Sequence, residues 1–423
     1  MWSSRLAFIA ARLPRSLCRR HLLSEAFSLE KEWASRHPEM AKLGLGGDYE
    51  WISAVQKKFI GGGLASAIDV DAAACVAEHK DQVDDVVELL YKLRHSENAA
   101  DLRGSSEYAL IRLLLRHDPS FLFKLADDPI NYGVFMNEHA ACLAIDHFLK
   151  RNDFGGAARL AAWVMQQEMT ENELLNLLVL YSCTKWAELP VEQQTMPREE
   201  EEEEEVNEDD VKTFKFPYLK NAHFDSHFDL TDPHQLAGKT LLWVARDSRS
   251  LPESTRESLR LLGAVLYNSL DLASTLASSS IHGGVASIVR QRLTPAEGEE
   301  PAEPQRKILE KLEGCKPAES PVSSAVLASL EEIREKEEKE LAEKQTQKFK
   351  RWHQRRQELI KAQADRVLLK IRAEEIAKEL AELEHHAEKL SFFENRLKWE
   401  KQAAQNAEII EHATSSKEAA VEK

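Results

Sequence analysis

The residues best suited to chemistry form a basic segment near the C-terminus of this 423-residue chain. Residues 348–372 contain nine lysines and arginines but only two acids. A helix this basic can neutralise several phosphates and release their counterions, while Trp352 and His353 could stack on an exposed base. A solvated face of a coiled coil would have the same composition, so both interpretations stay open. The RNA-binding interpretation assigns the contacts to Lys348, Lys350, Arg351, Arg355, Arg356, Lys361, Lys370 and Arg372.

A second group of candidate residues lies in the segment 223–234, where histidines alternate with aspartates. His223, His227 and His234 are the best metal candidates, because histidines four residues apart on a helix can share one ion. However, Asp232 precedes a proline and aromatic residues alternate with the polar ones, which favours an irregular segment of turns and packed rings. We therefore predict that no metal binds here.

Enzymatic motifs are incomplete along the chain. Gly238-Lys239-Thr240 resembles the end of a phosphate-binding loop, but Pro233 occupies the position where that motif needs a glycine. The residues also supply no set of nucleophile, base and oxyanion donors. We predict neither an enzyme nor a cofactor, and no small-molecule substrate.

The N-terminal segment, residues 1–23, has the composition of a mitochondrial presequence. It contains five arginines and no acid, and apolar residues supply a second face. Arginines interrupt the apolar stretch that a secretory signal would need. A cut near residues 20–24 would leave four cysteines without metal or redox spacing, which we expect to be buried. We predict the mitochondrial matrix as the location and no membrane span.

The elements that position these residues are predicted to be helices. Asp81, Asp118 and Asp153 each resemble a helix N-cap, and their spacing of about 35 residues suggests stacked helical hairpins. We predict an all-α fold, an α-solenoid of such hairpins followed by a long C-terminal helix. The predicted segments are the presequence 1–23, hairpins 24–196, an acidic disordered loop 197–212 with seven consecutive glutamates, a helical continuation 213–293, a proline-rich linker 294–321, a long helix or coiled coil 322–412 and a disordered tail 413–423.

The long helix carries a heptad seam. Its members alternate in spacing between three and four residues, which is the pattern of a coiled coil. Alanines and two charged residues, Arg366 and Glu394, weaken the seam for self-association, so docking on a larger partner is as plausible as pairing with a second copy. The seam comprises Leu359, Ala362, Arg366, Leu369, Ala373, Ile376, Leu380, Leu383, Ala387, Leu390, Glu394 and Leu397.

Several short motifs carry a resemblance to known proteins. The hairpin 133–169, with DHFLKRNDF at 146–154, resembles a pentatricopeptide repeat. The order of RHLLS at 20–24, WASR at 33–36, LYKLRHS at 90–96 and LGAVL at 262–266 resembles the pentatricopeptide-type protein-twenty-seven family of the mitochondrial small ribosomal subunit.

This resemblance implies a structural ribosomal protein that supports mitochondrial translation and contacts small-subunit rRNA and neighbouring proteins. In such repeats Asn137 would be one of two base-reading residues, but Cys142 occupies the other position. The resemblance therefore favours RNA contact through shape and phosphates. The alternatives are a free pentatricopeptide factor acting on mitochondrial transcripts and a coiled-coil scaffold without RNA.

Overall fold

A computed structural model describes residues 22–44, 46–198, 227–278, 280–294, 302–315 and 320–421 of the chain, with side chains up to residue 411. Regular secondary structure in these residues is entirely helical, which confirms the all-α prediction. Contacts divide the chain into two units, Met1–Arg356 and Gln357–Lys423. The seven glutamates at 199–205, most of the predicted presequence and His223 lie outside the described residues.

The first part of the chain folds into short helices that pack on their neighbours. Helix α9 packs on α10, and α10 packs on α11, so that α10 and α11 are buried on nearly every side. The helices are α1 (Glu30–Ala34), α2 (Arg36–Ala41), α3 (Asp48–Phe59), α4 (Ala67–Val76), α5 (Val83–Arg94), α6 (Gly104–His117), α7 (Phe121–Asp127), α8 (Pro129–Tyr132), α9 (Glu138–Lys150), α10 (Phe154–Gln166) and α11 (Glu173–Ala187).

The α9–α10 hairpin forms where the sequence predicts it. The Asp153 carboxylate accepts a hydrogen bond from the Gly156 N–H at 2.8 Å, which confirms this N-cap. Asn152 makes the turn in the left-handed conformation, with a φ of 58°. Ala157, Ala158 and other small residues of α10 are completely buried, because their size lets the neighbouring helices approach closely.

The other two proposed N-caps are wrong. Asp81 lies inside the 3-10 turn Lys80–Gln82, where its carboxylate accepts a hydrogen bond from the Tyr49 hydroxyl at 2.9 Å. The neighbouring Gln82 accepts from the backbone of Glu78 and His79 instead, at 2.8 and 3.0 Å. Asp118 ends α6, and its carboxylate accepts from the Ser120 hydroxyl. The caps therefore do not recur at an even pitch, because the carboxylates of Asp81 and Asp118 accept from side-chain hydroxyls and not from the first N–H groups of a helix.

The next helices follow the acidic segment. They are α12 (Pro233–Asp247), α13 (Glu253–Leu266), α14 (Leu270–Leu276), α15 (Gly283–Leu293) and α16 (Glu303–Leu312). Helices α12 and α13 cross closely at Gly238 and Gly263, where a Cβ on Gly238 would lie 2.8 Å from the Gly263 carbonyl oxygen. Gly238-Lys239-Thr240 thus lies in a buried helix and packs against another helix.

Helix α16 lies within the predicted linker 294–321. Pro304 sits in its first turn, where the missing N–H costs no helical hydrogen bond. Ile308 and Leu312 are completely buried, so this part of the segment packs against the fold and is not an extended linker. Proline spacing indicated a loop because prolines at a helix start and prolines in a linker look alike in sequence.

The C-terminal part contains α17 (Val322–Leu390) and α18 (Phe392–Val421), which are separated at Ser391. The long helix predicted over 322–412 is present as these two helices. Helix α18 also extends over residues 413–421, where a disordered tail was expected. Across the described residues, we find no helix that combines the length and apolarity needed to cross a bilayer.

Candidate docking site of the long helix

Helix α17 contributes to both units of the chain, and its first part lies in the helical unit. We call residues 322–356 the docked stretch and residues 357–390 the distal stretch. In the docked stretch, buried residues recur mostly every three or four positions, which places them on one face of the helix. This stripe contains Val322, Val326, Leu330, Glu338, Leu341, Gln345 and Arg356.

The docked stretch begins at a carboxylate. Glu188, at the end of α11, accepts hydrogen bonds from the Ser323 N–H at 2.9 Å and from its hydroxyl at 2.7 Å. The first N–H groups of a helix have no partner within the helix, and its N-terminus favours negative charge. Glu188 therefore fixes where α17 starts relative to α11.

Polar contacts continue along the middle of the docked stretch. Glu338 accepts a hydrogen bond from the Ser24 N–H at 3.1 Å. The Asn137 amide nitrogen donates to the Gln345 side-chain oxygen at 3.3 Å, while its own oxygen caps α9 by accepting from the Ala140 N–H. Both Glu338 and Gln345 are buried, so these contacts replace hydrogen bonds to water.

Four aromatic rings join the docked stretch to α1 and α6. The ring of Phe349 lies 5.4 Å from Trp33 and 5.3 Å from Tyr108, and the Trp352 ring lies 5.6 Å from Tyr108. Such tilted and edge-on pairs are favourable beyond the area that they bury. Burial raises the pKa of Tyr108 to about 12, so its hydroxyl stays protonated.

His139 lies beneath this cluster as a neutral, fully paired imidazole. Its Nε2 lies 2.8 Å from the Phe27 carbonyl oxygen, and its Nδ1 lies 3.1 Å from the Tyr108 hydroxyl. Because the carbonyl only accepts, Nε2 carries the proton and Nδ1 accepts from Tyr108. Burial lowers the pKa of His139 to about 3.

The docked stretch ends at a buried ion pair. The Arg356 Nε lies 2.6 Å from the Asp71 Oδ2, and both side chains are almost fully buried. The other carboxylate oxygen of Asp71 accepts from the hydroxyls of Ser105 and Ser106. The Arg356 Nη2 also contacts the Cys75 Sγ at 2.9 Å, and burial raises the pKa of that thiol to about 12. A buried pair with this many hydrogen bonds fixes the position of the helix.

The predicted RNA-binding residues fall into three groups. Lys350, Arg351 and Arg355 are exposed, and Lys348 is half-buried. Lys361, Lys370 and Arg372 are exposed in the second unit, where Arg372 pairs with Glu375 at 3.0 Å. Arg356 and Asn137 instead contact other residues of the chain. Arg356 and Arg355 look alike in the sequence, because adjacent residues on a helix differ only in the direction that they face.

The distal stretch presents its seam to solvent within its own unit. Leu369, Leu383 and Leu390 are 71, 65 and 89% exposed. The seam continues in α18, where Leu397 is 75% exposed. This unit therefore carries an apolar stripe that its own residues do not cover.

The partners of the docked stretch were not predicted from the sequence. For Asp71 the sequence does indicate a buried partner, because it is an acid inside the apolar helix α4, where an unpaired charge would be costly. For Glu338 and Ser24 the sequence indicates no such contact, since acids are frequent on a long solvated helix and serine is frequent before a turn.

The two described histidines of the metal candidate pack against different tryptophans. The His227 ring lies 4.6 Å from Trp243, and the His234 ring lies 5.3 Å from Trp186. The His227 Nε2 also lies 3.3 Å from a Glu168 carboxylate oxygen. The part of the chain that the structure describes contains no cluster of His, Cys, Asp or Glu that could hold a metal ion.

These features define a class of all-helical protein in which short packed helices bind the chain's own long helix and leave a basic face and an apolar stripe exposed. A protein-family model described as Mitochondrial 28S ribosomal protein S27 matches residues 1–382. The chain belongs to this family. It is a mitochondrial ribosomal protein of the small subunit and is located in the matrix, which confirms the family and the location predicted from sequence.

Proposed function

We propose that this chain is a structural component that contacts small-subunit rRNA through the exposed face of its long helix. The observation that carries the proposal is the arrangement of charge on the docked stretch. One face of the helix is held by the stripe of buried residues that ends at Arg356 and by the aromatic rings. On the other side, Lys350, Arg351 and Arg355 are exposed. A fixed helix with exposed cations is suited to bind a phosphate backbone.

The contacts favour phosphates over bases as the ligands. Trp352 packs on Tyr108 and Phe349, and the His353 Nε2 lies 3.0 Å from a Glu39 carboxylate oxygen. Asn137 contacts Gln345, and Cys142 is completely buried. In this hairpin, the two positions that would read a base are therefore occupied by contacts within the chain. Phosphate contacts position a protein on RNA without reading its sequence.

The distal stretch is proposed to bind a helix of a neighbouring ribosomal protein. Its exposed leucines form one apolar stripe, and a ribosomal family implies protein neighbours. In a parallel pair of two copies, Arg366 would face Arg366 and Glu394 would face Glu394, because seam positions of this kind pair with themselves. These like charges favour a partner with a different sequence.

A salt titration tests the RNA contact. In the full chain, Lys350, Arg351 and Arg355 are replaced together by glutamine, and binding to transcribed fragments of the small-subunit rRNA is measured over roughly 50 to 200 mM salt. Each lost phosphate contact should reduce the slope of log affinity against log salt by about 0.7 to 0.9. The control replaces Lys42, Lys92 and Lys307, three lysines outside the long helix. An equal slope in both variants would mean that Lys350, Arg351 and Arg355 do not contact phosphates, whereas no measurable binding in the unchanged chain would favour the scaffold without RNA.

Two further measurements test the assembly. The chain should sediment with the small subunit from mitochondrial lysate, and recovery only in light fractions would favour a free RNA-binding factor. A photo-crosslinker at Leu383 in purified small subunits should link the chain to another ribosomal protein. A crosslink to a second copy of the chain would contradict the proposed partner.

A further inference from the structure

The distal stretch carries a second apolar stripe, which the heptad seam does not include. Val367, Leu368 and Ile371 are 53, 63 and 48% exposed, so their own unit leaves them uncovered. Ile360, Ala364, Val367 and Ile371 recur in steps of four and three residues, and Leu368 lies beside them. We call these five residues the outer stripe.

The outer stripe and the seam lie on opposite sides of α17. Because a helix turns through about 100° per residue, the outer stripe faces away from the seam residues Leu359 and Leu369. The exposed side chains of Asp365 and Arg372 lie on one flank between the two stripes, and Lys370 lies on the other flank. Over this part of the helix, two opposite faces are apolar and the sides between them are charged.

The outer stripe is short. Glu375 and Glu382 follow Leu368 on nearly the same side of the helix, one and two heptads later, but both are exposed acids. From Ile360 to Ile371 the helix rises about 17 Å, or about three turns. A separate helix that matched only this length would be marginal in water. Whatever covers the outer stripe therefore has to be held there by a second connection.

Two opposite apolar faces restrict the kind of ligand. A membrane surface would cover one face and leave the other in water. RNA phosphates bind cations and gain nothing from valine, leucine or isoleucine side chains. Two helices, one on each face, would bury both stripes, as is typical of a helix with apolar residues on all sides. Asp365, Lys370 and Arg372 would then border the contacts, where opposite charges on the two helices can pair with them.

We propose that a helical hairpin of one neighbouring ribosomal protein encloses the distal stretch, with one helix on the seam and the other on the outer stripe. The turn of the hairpin supplies the connection that a contact of three turns requires. The helix on the seam needs an acid opposite Arg366, because a charge buried among apolar residues is costly without a partner. This inference rests on the proposed binding of the distal stretch to a neighbouring protein.

Photo-crosslinkers at single positions of the full chain, in purified small subunits, test the hairpin. Leu369 reports on the seam and Leu368 on the outer stripe. Glu382 is the matched control, because it lies two heptads after Leu368 where the outer stripe has ended. We expect Leu368 and Leu369 to link to two helices that are consecutive in the sequence of the same ribosomal protein. We expect Glu382 to link to neither helix.

The crosslinks also separate this inference from the proposed function. A crosslink from Leu368 to RNA, to α18, to a different protein or to the helix that Leu369 contacts would overturn the hairpin, as would no crosslink at Leu368. Leu383 reports on the seam alone. If Leu383 links to a neighbouring protein and Leu368 does not, the hairpin is wrong and the proposed function holds. If Leu383 links to no other ribosomal protein, the proposed function itself fails.

A charge on the outer stripe provides the second test. Leu368→Glu should leave the melting curve of the free protein unchanged, because this side chain is exposed. In competition with the unchanged chain, its incorporation into the small subunit should fall about tenfold or more, because a buried leucine is lost from the contact. Glu382→Gln should keep both properties. Full incorporation of Leu368→Glu would show that nothing covers the outer stripe.

Discussion

The docked and distal stretches belong to one helix, yet their apolar residues have opposite environments. Leu341 in the docked stretch is 2% exposed, whereas Leu383 in the distal stretch is 65% exposed within its unit. Both leucines recur in a spacing of three and four residues that predicts an amphipathic helix. The comparison shows that this spacing predicts which face is apolar but does not reveal whether the same chain or another molecule covers it.

The largest expected effect comes from breaking the ion pair that ends the docked stretch. Asp71→Ala should lower the free energy of unfolding by about 3 to 5 kcal/mol, because Arg356 stays buried without its carboxylate. Urea denaturation of the full chain measures this change. Arg355→Ala, on the exposed face of the same turn, is the matched control. If Asp71→Ala lowers the free energy of unfolding no more than Arg355→Ala does, the ion pair does not hold the helix.

The two leucines of the comparison give the next effect. Leu341→Ala should cost about 2 to 5 kcal/mol, because it removes buried methyl groups and leaves a cavity. Leu383→Ala should change stability by less than about 0.5 kcal/mol, since its side chain is largely exposed in the free protein. Equal losses in the two urea curves would contradict the division into a docked and a distal stretch.

Acid should weaken the docked region through His139. The unfolded chain binds a proton as pH falls through about 6.5, whereas the folded imidazole stays neutral down to a pKa of about 3. Stability is therefore complete above pH 6.5 and falls as pH decreases from 6.5 towards 3. From pH 7 to pH 5 this group should account for about 2 kcal/mol of lost stability.

A His139→Gln variant sharpens that test. It should have a smaller difference between its unfolding free energies at pH 7 and pH 5 than the unchanged protein, whatever its stability at either pH. His147, whose pKa burial lowers to about 4, contributes a slope of the same sign that remains in the variant. An unchanged pH dependence would show that His139 becomes protonated within the fold.

The smallest effect on the free protein is expected at the seam of the distal stretch. Leu380→Asp should change the free energy of unfolding by less than about 0.5 kcal/mol, because the side chain is 54% exposed. The same variant should reduce incorporation into the small subunit if a neighbouring helix covers the seam. Glu382→Gln, on another face of the helix, is the control for incorporation. A stability loss in the free protein would indicate that the chain covers its own seam.

Local structure was most predictable where neighbouring residues decide it. Asp153 caps α10 because its carboxylate reaches an N–H only three residues away, and the small residues of α10 indicate close packing. Asp81 and Asp118 have a similar local pattern but cap no helix, and their carboxylates instead accept from the hydroxyls of Tyr49 and Ser120. The predicted linker contained a helix because burial of Ile308 outweighs the presence of nearby prolines.

The sequence by itself determined the all-α class, the α9–α10 hairpin, the start of the long helix at residue 322, and the ribosomal family. These depend on periodicity, capping and residue order, which are local. Only the tertiary structure decided that Arg356 pairs with Asp71 while Arg355 is exposed, and that Ser24 meets Glu338. Those contacts join residues 285 and 314 positions apart, and no local spacing records which distant side chain a buried charge will meet.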